Sequence, residues 1–383
     1  MSHRILITGG AGFIGSHLAD ELLAHGHAVR ALDTLDAQVH GPGARRPEYL
    51  STEVELLVGD VRDPAAVERA LDGVDAVFHF AARVGVGQSM YEIASYTGVN
   101  SLGTAVLLEA LARRPVAKLL VASSMSIYGE GLYRVADGRR VVSAERTLAQ
   151  LEAGEWEPRG PAGEPLDPVP TSEDKAPTLS SVYALGKYDQ ERLCLMVGRA
   201  YAIPTLALRF FNVYGPRQAL SNPYTGVLAI FAARLLNGRA PLIFEDGRQQ
   251  RDFVHVSDVA RACRLALERE DAVGLAINVG SGRASTVAEI ADRCARAVGR
   301  PEIVPEITGT YRVGDIRHCF ADIGRARRLL GFEPRVDLES GLTELAGWLA
   351  GRTAVDRVAE ARDELERRGL ALDARERTAG SEA

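Results

Sequence analysis

Cysteine, tryptophan and methionine are scarce in this sequence. Its 383 residues include four cysteines, two tryptophans and four methionines. The cysteines stand far apart, at positions 194, 263, 294 and 319, and never form a C-x-x-C pair. That spacing argues against a disulfide framework and against a zinc site. We therefore expect four buried thiols and no bound metal.

Long apolar runs and an excess of positive charge are also missing. No apolar stretch approaches the roughly 20 residues of a membrane helix, and the start, Met1-Ser2-His3-Arg4, lacks the apolar region and cleavage site of a signal peptide. The formal net charge of −6 argues against a general attraction to nucleic acid or to acidic membranes. We expect a cytoplasmic protein with a small-molecule partner, and neither nucleic acid nor a membrane as partner.

Short apolar runs rich in β-branched residues alternate with helix-length segments through the first third of the chain. This alternation predicts an α/β fold built on a doubly wound parallel sheet. The carboxyl ends of parallel strands meet at one edge of such a sheet, where ligands bind. The predicted strands are Arg4–Thr8, Ala28–Asp33, Glu53–Val58, Ala76–Phe80 and Lys118–Ser123.

A glycine-rich loop follows the first strand directly. Residues 9–15 read Gly-Gly-Ala-Gly-Phe-Ile-Gly, a G-x-x-G-x-x-G loop that opens a helix. Its glycines turn the chain, let backbone N–H groups approach a pyrophosphate and allow tight packing of helix on strand. The second strand ends at Asp33, at the distance where a carboxylate bonds a ribose hydroxyl. The combination predicts a Rossmann-type dinucleotide site, and an ordinary Gly-rich turn with a loop acid is the alternative.

Asp33 also predicts which cofactor binds. Its carboxylate would bond the 2′-hydroxyl of NAD and repel the 2′-phosphate of NADP, so we expect NAD unless Arg30 turns toward that pocket. Asp60, after the third strand, would contact the adenine or cap a turn, and Ala81 and Ala82 are small enough for close approach. The residues predicted at this point to bind the cofactor are Gly9, Gly12, Phe13, Ile14, Gly15, Asp33, Asp60, Val61, Phe80, Ala81 and Ala82.

Three segments depart from the regular alternation. Residues 130–174, rich in Gly, Pro, Arg and Glu, predict a long loop or flap that either covers a substrate or lacks fixed structure. Beyond Tyr214, Gly-Pro, Asn-Pro and Asp-Gly pairs predict a smaller lobe. After Ala354 the charged composition predicts a solvated helix with a frayed tail at Thr378–Ala383. The predicted units are a dinucleotide-binding domain at 1–210, a substrate lobe interleaved with it at 211–350, and a charged helix and tail at 354–383.

A Y-x-x-x-K motif follows at Tyr183 and Lys187, in a helical run that starts at Ser180. The two side chains lie one turn apart on one helix face. An ammonium beside a phenol favours the phenolate, which lowers the pKa of the phenol toward the range of a general base. Chance pairs at this spacing are common on exposed helices, but this one follows a strand that ends in hydroxyl residues, Ser123 and Ser124.

Together these residues resemble the extended short-chain dehydrogenase/reductase family, and especially its nucleoside-diphosphate-sugar 4-epimerases and dehydratases, over roughly residues 3 to 350. The resemblance implies that Tyr183 is the base, that Lys187 is its partner, and that both also contact the cofactor. It further implies that the hydroxyl of Ser124 assists catalysis and that Asn100 holds the lysine through water. A homodimer through helices near Ser101–Ala112 and Ser181–Ala200 is also implied.

The family's substrate-side motifs are present as well. They are Arg209-Phe210-Phe211-Asn212-Val213-Tyr214-Gly215-Pro216-Arg217, Arg251-Asp252-Phe253-Val254-His255-Val256 and Arg312-Val313-Gly314-Asp315. By the resemblance, Asn212, Arg251 and Arg312 hold a diphosphate, with Arg217 as a weaker candidate and Ser126 on the sugar side. Guanidinium groups suit this task because they form paired, charge-assisted bonds with phosphate oxygens. Surface ion pairing is the alternative for each arginine.

The two residues after Ser124 reduce the number of reactions that the chain could catalyse. Dehydratases of this family carry an Asp-Glu pair there and decarboxylases a glutamate at the second position, whereas this chain has Met125 and Ser126, which cannot act as acid or base. We therefore expect an NAD-dependent 4-epimerase of a dTDP- or UDP-hexose, acting through a transient 4-keto sugar. The alternatives are a 4-keto-sugar reductase or dehydrogenase with net redox change and, from another class, a non-catalytic NAD-binding sensor.

One branch of the family is favoured. The run from Ser124 to Gly131, the insertion at 130–174 and the stretch Gly215–Tyr224 most resemble dTDP-L-rhamnose 4-epimerases. Some relatives carry a cysteine pair in the insertion, whereas Arg159–Gly163 here contains none.

Overall fold

The computed structural model describes residues 2–141, 144–219, 226–312, 314–350 and 358–373. None of the helices within these ranges is long and apolar enough to cross a bilayer. The strands are β1 Arg4–Thr8, β2 Ala28–Asp33, β3 Glu55–Val58, β4 Ala76–His79, β5 Lys118–Ser124, β6 Leu132–Arg134, β7 Arg140–Val141, β8 Asp167–Val169, β9 Thr205–Phe210, β10 Asn212–Tyr214, β11 Leu242–Ile243, β12 Gln250–Arg251, β13 Phe253–His255, β14 Ala276–Val279, β15 Ser285–Thr286, β16 Glu306–Ile307, β17 Thr310–Arg312, β18 His318–Cys319 and β19 Ala371–Asp373.

The helices connect these strands and cover the sheet that some of them form. They are α1 Phe13–Ala24, α2 Ala37–His40, α3 Pro64–Ala70, α4 Val86–Ser89, α5 Ile93–Thr97, α6 Gly103–Arg113, α7 Leu148–Glu152, α8 Val182–Ala200, α9 Val227–Leu236, α10 Val256–Glu268, α11 Val287–Ala297, α12 Gly324–Leu330, α13 Leu338–Leu349 and α14 Val358–Arg367. A π-helical turn at Gly98–Leu102 precedes α6, and a 3-10 turn at Met125–Tyr128 follows β5.

A parallel sheet forms the centre of the molecule. Among the described residues it has seven strands in the order β14-β9-β5-β4-β1-β2-β3, each parallel to its neighbours. The strand order reverses beside β1, so the crevice at the carboxyl ends opens between β1 and β4. The predicted α/β fold with a doubly wound parallel sheet is confirmed. β3 starts two residues later than predicted and β4 ends one residue earlier, the usual scatter of strand ends.

Both faces of the sheet are covered. On one face Leu18 and Leu22 of α1 pack with Cys263 of α10, and on the other Leu111 of α6 packs with Cys194 of α8. All seven residues of β5 are buried, which explains its continuous apolar sequence. The four cysteines are free and buried, as predicted.

Later parts of the chain build a smaller lobe and also return to the sheet. The lobe has its own core, in which Phe231 of α9, Ile290 of α11 and Leu345 of α13 are buried. β14 meanwhile forms an edge of the central sheet. The lobe is therefore interleaved with the sheet, and the domain limits drawn from the sequence remain a prediction.

The described residues of the segment 130–174 form short strands and a helix, which argues against the alternative that it lacks fixed structure. β6 pairs with β7 and β8 in an antiparallel sheet, and α7 starts at Thr147 with a capping box to Gln150. Tyr133, Val135 and Leu166 form a small buried cluster beneath these strands. The strands are two or three residues long, too short to give the alternating pattern on which sequence reasoning depends. We call residues 130–174 the insertion.

The C-terminal segment also departs from expectation. The predicted helix is present as α14, but Leu365 on it is buried and contacts Gly87 of α4. After α14 the chain forms β19, which pairs antiparallel with β17, so that Ala371 lies opposite Arg312. Within residues 358–373 the chain therefore packs on the protein through Leu365 and Ala371, while Glu360 and Asp363 form the exposed charged face that the composition predicts. The predicted tail at Thr378–Ala383 lies outside the described residues.

Candidate active site

The glycine loop lies between β1 and α1, at the carboxyl edge of the sheet. Gly9 has a φ of +72°, in the left-handed region that favours glycine. A Cβ on Gly15 would come within 2.3 Å of the Gly9 carbonyl oxygen, so the close packing of helix on loop excludes a side chain there. A Cβ on Gly12 would meet the same oxygen at 3.3 Å and is otherwise open among the described residues. The loop therefore leaves room for a pyrophosphate at the N-terminus of α1.

Asp33 closes β2 beside this loop. Its Oδ2 accepts a hydrogen bond from the backbone N–H of Ala11 at 3.0 Å, and its Oδ1 accepts one from Leu35 at 2.9 Å. These bonds fix the carboxylate against the loop. Each carboxylate oxygen can accept a further bond, so Asp33 fits a ribose diol.

Arg30 faces away from this pocket. Its Nε donates to Glu55 at 2.9 Å, and one terminal nitrogen donates to the carbonyl oxygens of Ala70 at 2.9 Å and Asp72 at 2.7 Å. Arg30 is therefore not placed to neutralise a 2′-phosphate. The pocket fits NAD better than NADP.

A cavity of about 850 Å³ runs along the carboxyl edge of the sheet. Every residue predicted to bind the cofactor contributes to its lining. These residues are Gly9, Gly12, Phe13, Ile14, Gly15, Asp33, Asp60, Val61, Phe80, Ala81, Ala82, Tyr183 and Lys187.

Asp60 combines a turn role with a position in the cavity wall. Its carboxylate accepts from the backbone N–H of Arg62 at 2.8 Å and from a terminal nitrogen of the Arg62 guanidinium at 2.6 Å. The hydrogen bond from that guanidinium lowers the pKa of Asp60 below its ordinary value. The turn-forming alternative is thus present in the structure, and the adenine contact remains a prediction.

Ser124, Tyr183 and Lys187 line the same cavity as the glycine loop. Ser124 ends β5, where its hydroxyl accepts from the backbone N–H of Ser126 at 3.2 Å. Ser181 caps α8 by accepting from the backbone N–H of Ala184 at 3.1 Å, which fixes the start of the helix that carries Tyr183 and Lys187. Two separate elements, β5 and α8, thus bring a hydroxyl, a phenol and an ammonium together beside the dinucleotide loop.

The pKa of Tyr183 is not governed mainly by Lys187, contrary to the expectation from the sequence. Burial is the largest influence on Tyr183 and raises its pKa, while a hydrogen bond with Ser124 acts in the opposite direction. Burial also lowers the pKa of Lys187 to about 8. Burial thus disfavours the charged form of each group, since removal from water costs a charged group more than a neutral one.

Asn100 is buried in the π-helical turn before α6. Its Oδ1 accepts from the backbone N–H of Arg83 at 2.8 Å, and its Nδ2 donates to the Arg83 carbonyl oxygen at 3.1 Å. A Cβ on Gly186 of α8 would lie 3.4 Å from the Asn100 Cβ, so the turn packs directly on the catalytic helix. The water-mediated link to Lys187 remains a prediction.

The predicted substrate residues fall into two groups. Ser126 and Asn212 line the cavity, whereas its described lining does not include Arg251 or Arg312. Both of those arginines converge on Asp315: a terminal nitrogen of Arg312 lies 2.9 Å from one carboxylate oxygen, and a terminal nitrogen of Arg251 lies 3.7 Å from the other. Their role in diphosphate binding remains a prediction.

Arg217, the weaker candidate for diphosphate binding, is ion-paired with α1 in the structure, and its role in binding remains a prediction. A terminal nitrogen of its guanidinium lies 2.7 Å from Oδ2 of Asp20 on α1, and the group sits over the ring of Tyr49 at 5.6 Å. The described cavity lining does not include it. The backbone at Arg217 has a φ of +70°, so the side chain leaves the chain in a direction that the motif alone does not indicate. The neighbouring stretch Ser221–Tyr224 lies outside the described residues.

Several cavity residues were not foreseen. Val86 and Gln88 come from α4, and Gln218, Ala219 and Gly226 from the segment that precedes α9. Gln218 and Ala219 lie in the stretch that resembles one branch of the family, but the sequence assigned them no contact with the cofactor or the substrate. Only the folding of distant segments toward the sheet edge brings them to the site.

Comparisons with known proteins agree with this geometry. Residues 5–280 match the family described as the NAD dependent epimerase/dehydratase family. A dTDP-L-rhamnose 4-epimerase of Burkholderia thailandensis is 37% identical over 352 residues, covering 91% of this chain and 95% of that protein. A UDP-glucose 4-epimerase of Thermotoga maritima, solved with UDP-glucose, has a TM-score of 0.72 at 31% identity and covers 91% and 98% of the two chains. The Thermus thermophilus UDP-glucose 4-epimerase, solved with NAD, gives 0.71 at 31% identity, with coverage of 91% and 99%.

These matches confirm the resemblance found in the sequence. The family match spans the glycine loop, Asp33, Ser124, Tyr183 and Lys187, the residues that the fold gathers around one cavity. The chain belongs to the NAD-dependent epimerase/dehydratase family, within the extended short-chain dehydrogenases/reductases.

Proposed function

We propose that this protein is an NAD-dependent 4-epimerase of a nucleoside-diphosphate sugar, with dTDP-L-rhamnose as the first substrate to test. One observation carries the proposal: a single cavity joins the dinucleotide loop to Ser124, Tyr183 and Lys187, while Met125 and Ser126 follow Ser124. Neither of those two side chains can act as the acid or base that water elimination requires. The 37% identity to a dTDP-L-rhamnose 4-epimerase supports the choice of sugar.

The reaction follows from the residues of the cavity. Tyr183 removes the proton of the sugar 4-hydroxyl and later returns it, and Ser124 hydrogen-bonds the 4-oxygen during both steps. Bound NAD supplies the hydride acceptor and, in the same turnover, the hydride donor. The transient 4-keto sugar turns within the site between the two hydride transfers. This rotation requires tight binding of the diphosphate and weaker binding of the hexose. We assign diphosphate binding to Asn212, Arg251 and Arg312.

The insertion is proposed as the wall of the hexose pocket. It is anchored to the lobe where β17 carries Arg312: Trp156 packs on Tyr311 with ring centroids 6.2 Å apart, and Arg146 donates to Glu245 at 2.6 Å. A wall fixed in this way shapes the space left for the sugar.

We also propose a homodimer that works in nucleotide-sugar metabolism for carbohydrate biosynthesis. Leu102 beside α6 and Leu185 and Met196 on α8 are exposed apolar side chains. They lie within the two predicted contact ranges, Ser101–Ala112 and Ser181–Ala200. A cytoplasmic location stays a prediction of the sequence.

The test is direct. The purified protein, without added cofactor, is incubated with dTDP-L-rhamnose and with UDP-, dTDP- and GDP-hexoses, and the sugar ring is followed by proton NMR while NAD and NADH are assayed in the same sample. Appearance of a 4-epimer without net change in NADH supports the epimerase. Conversion that requires and consumes NAD(P)H would make the protein a reductase and overturn the proposal. Bound NAD with no conversion of any sugar would favour the non-catalytic alternative.

A further inference from the structure

A buried hydrogen-bond network lies behind Lys187. Thr8, His79, Thr104 and Gln190 belong to four different elements, and all four are fully buried. The Nζ of Lys187 donates to Oε1 of Gln190 at 2.8 Å. Among the described residues, Gln190 is the hydrogen-bond partner found for the Lys187 ammonium. Gln190 is therefore the point where the network meets the catalytic pair.

The orientation of the Gln190 amide is decided by its neighbours. The Ala81 carbonyl oxygen can only accept, and it lies 3.3 Å from Nε2 of Gln190. The Lys187 ammonium can only donate, so the amide oxygen faces Lys187 and the amide nitrogen faces Ala81. The nitrogen also donates to Oγ1 of Thr104 at 3.0 Å. This orientation holds whichever ring nitrogen of His79 carries the hydrogen.

The other members of the network hold this arrangement in place. Oγ1 of Thr104 donates to the Asn100 carbonyl oxygen at 2.5 Å and lies 2.9 Å from Nε2 of His79. Nδ1 of His79 lies 2.8 Å from Oγ1 of Thr8, which accepts the backbone N–H of Ala81 at 3.1 Å. The network thus ends on Ala81, which lines the cofactor cavity and faces Gly9.

We propose that Gln190 is a positioning residue that fixes the ammonium of Lys187 against the cofactor edge and beside Tyr183. An ammonium has three N–H donors. One is bound to Gln190, and the remaining two can serve the cavity that Lys187 lines. The importance of Gln190 for turnover rests on the proposed epimerase function, whereas its effect on Lys187 and Tyr183 does not.

The titratable groups around Lys187 and Tyr183 decide over which pH range the ionisation of the pair can be measured without interference. Burial lowers the pKa of His79 to about 3 and raises that of Cys194 to about 12. Burial also raises the pKa of Tyr96, which faces Tyr183 from α5, above its ordinary value. Glu191 is ion-paired with Arg209 at 2.7 Å. Burial raises the pKa of Tyr183 above its ordinary value, so Lys187, with a pKa of about 8, is the member of the pair that titrates between about pH 5 and 10.

The substitution Gln190→Met keeps the length of the side chain and removes the acceptor. We expect the pKa of Lys187 to fall further, because its buried ammonium loses its hydrogen bond. If turnover requires the ammonium, the ionisation of Lys187 that limits kcat then moves to lower pH, and kcat at neutral pH falls by up to about tenfold for each unit by which the pKa of Lys187 drops below about 7. KM for the sugar nucleotide should stay within about twofold, since Gln190 does not line the cavity.

The decisive readout needs no substrate. The ionisation of Lys187 in the holoenzyme is followed by NMR of the isotopically labelled lysine side chain, and the same titration of a Lys187→Met variant is subtracted to isolate it. The titration should move to lower pH in Gln190→Met. Gln190→Glu retains an oxygen acceptor for Lys187 and should recover part of kcat and of the titration.

Two further variants distinguish a positioning role of Gln190 from a general loss of structure. Val197→Ala alters the packed face of α8 about two turns beyond Gln190 and should leave both profiles unchanged. Thr104→Val removes the anchor of the Gln190 amide and should shift them in the same direction as Gln190→Met, which keeps the test available if the methionine variant does not fold. An unshifted titration in folded Gln190→Met or Thr104→Val would overturn the positioning role. A shifted titration in a protein that epimerises no sugar would instead preserve the positioning role and reject the proposed function.

Discussion

At the scale of single residues, the chemistry depends on a phenol that burial keeps protonated. Burial raises the pKa of Tyr183, and the hydrogen bond with Ser124 is the influence that favours ionisation. Lys187 lines the same cavity one helical turn away, and we expect its ammonium to favour ionisation of the phenol during turnover.

Tyr183→Phe removes the group that exchanges the proton and leaves the rest of α8 intact. We expect kcat to fall by about 10³-fold or more, since loss of a general base costs about 10²–10⁴-fold. NAD content should be retained, because the glycine loop and Asp33 are untouched. Turnover by NMR and nucleotide content after denaturation check the two halves of this prediction. A variant that retained most of its activity would show that another group moves the proton.

Asp33→Asn tests the choice of cofactor. Loss of the negative charge weakens the bond to the ribose of NAD and removes the repulsion of a 2′-phosphate, so the preference for NAD over NADP should fall about tenfold or more. Dissociation constants for NADH and NADPH, from the fluorescence of the reduced nicotinamide ring, give the ratio. Arg30→Met is the matched control: its guanidinium is bound to Glu55 and to backbone carbonyls, so the ratio should stay unchanged. A change in the control would mean that Arg30 reaches the pocket.

At the scale of elements, the insertion is joined to the lobe by an ionic cluster around the buried Arg317. The Arg317 side chain is fully buried, and its terminal nitrogens lie 2.9 Å from Glu245, 2.6 Å from Asp246 and 2.5 Å from Glu157. Arg317→Met removes one cationic partner of the buried Glu245 carboxylate, which keeps Arg146, so we expect a loss of about 1.5–3 kcal/mol of unfolding free energy, the range for a hydrogen bond to a charged group. Urea denaturation of the two proteins measures the difference.

Arg139→Met is the control for this cluster, because the Arg139–Asp137 pair in the same insertion is exposed. Exposed pairs contribute about 0–1 kcal/mol, so its unfolding free energy should barely change. Equal losses of unfolding free energy in Arg317→Met and Arg139→Met would show that burial does not make the Arg317 ion pairs more stabilising than an exposed pair.

The same cluster predicts how the insertion responds to acid. Burial alone would raise the pKa of Glu157, but hydrogen bonds from His318 and Arg317 lower it to about 2. A depressed carboxyl pKa stabilises the fold above the ordinary value of 4.5 and loses that contribution as the pH falls toward about 2. In a Trp348→Phe background, Trp156 fluorescence should therefore change on acidification within this window and not above pH 5, about half a unit past the ordinary glutamate value. A transition confined to neutral pH would contradict the assignment.

The C-terminal segment links α4, which borders the cavity, to β17 of the lobe. Leu365 packs on Gly87, Val86 and Gln88 line the cavity, and Ser89 accepts the backbone N–H of Tyr183 at 3.1 Å. Leu365→Ser should loosen α4 and raise KM for the sugar nucleotide by about threefold to tenfold, with a smaller effect on kcat. Steady-state kinetics separate the two constants, and Glu360→Ala, an exposed change on the same helix, serves as the control. An unchanged KM would show that the segment does not support the site.

At the scale of the whole molecule, the exposed apolar side chains on α8 predict how two copies meet. Leu185→Glu combined with Met196→Glu places charge on the proposed contact and should convert a dimer to a monomer in light scattering after gel filtration. Val304 is exposed elsewhere, so Val304→Glu should not change the mass. A monomeric wild-type protein would reject the dimer at once.

The central sheet and the cofactor-binding half of the site can be predicted from the sequence. Buried parallel strands produce continuous apolar runs such as Leu119–Ala122 within β5, and the glycine loop is a local motif. The lobe half is harder to predict because its signals are not local. Arg217 stands in a matching motif, yet its guanidinium meets Asp20 of α1, and Gln190 acquires its role only through contacts with Thr104 and Ala81. Strands of two or three residues in the insertion leave no period to detect.

The central claim is that one hydride leaves the sugar C4 and returns to it within a single turnover. The most direct test uses the epimerising sugar nucleotide labelled with deuterium at C4, in ordinary water, with the product followed by NMR and mass spectrometry. Our account predicts a 4-epimer that keeps its deuterium at C4, with no label in the solvent and none in free NADH. Exchange of the label with solvent, or its appearance in released cofactor, would contradict the account.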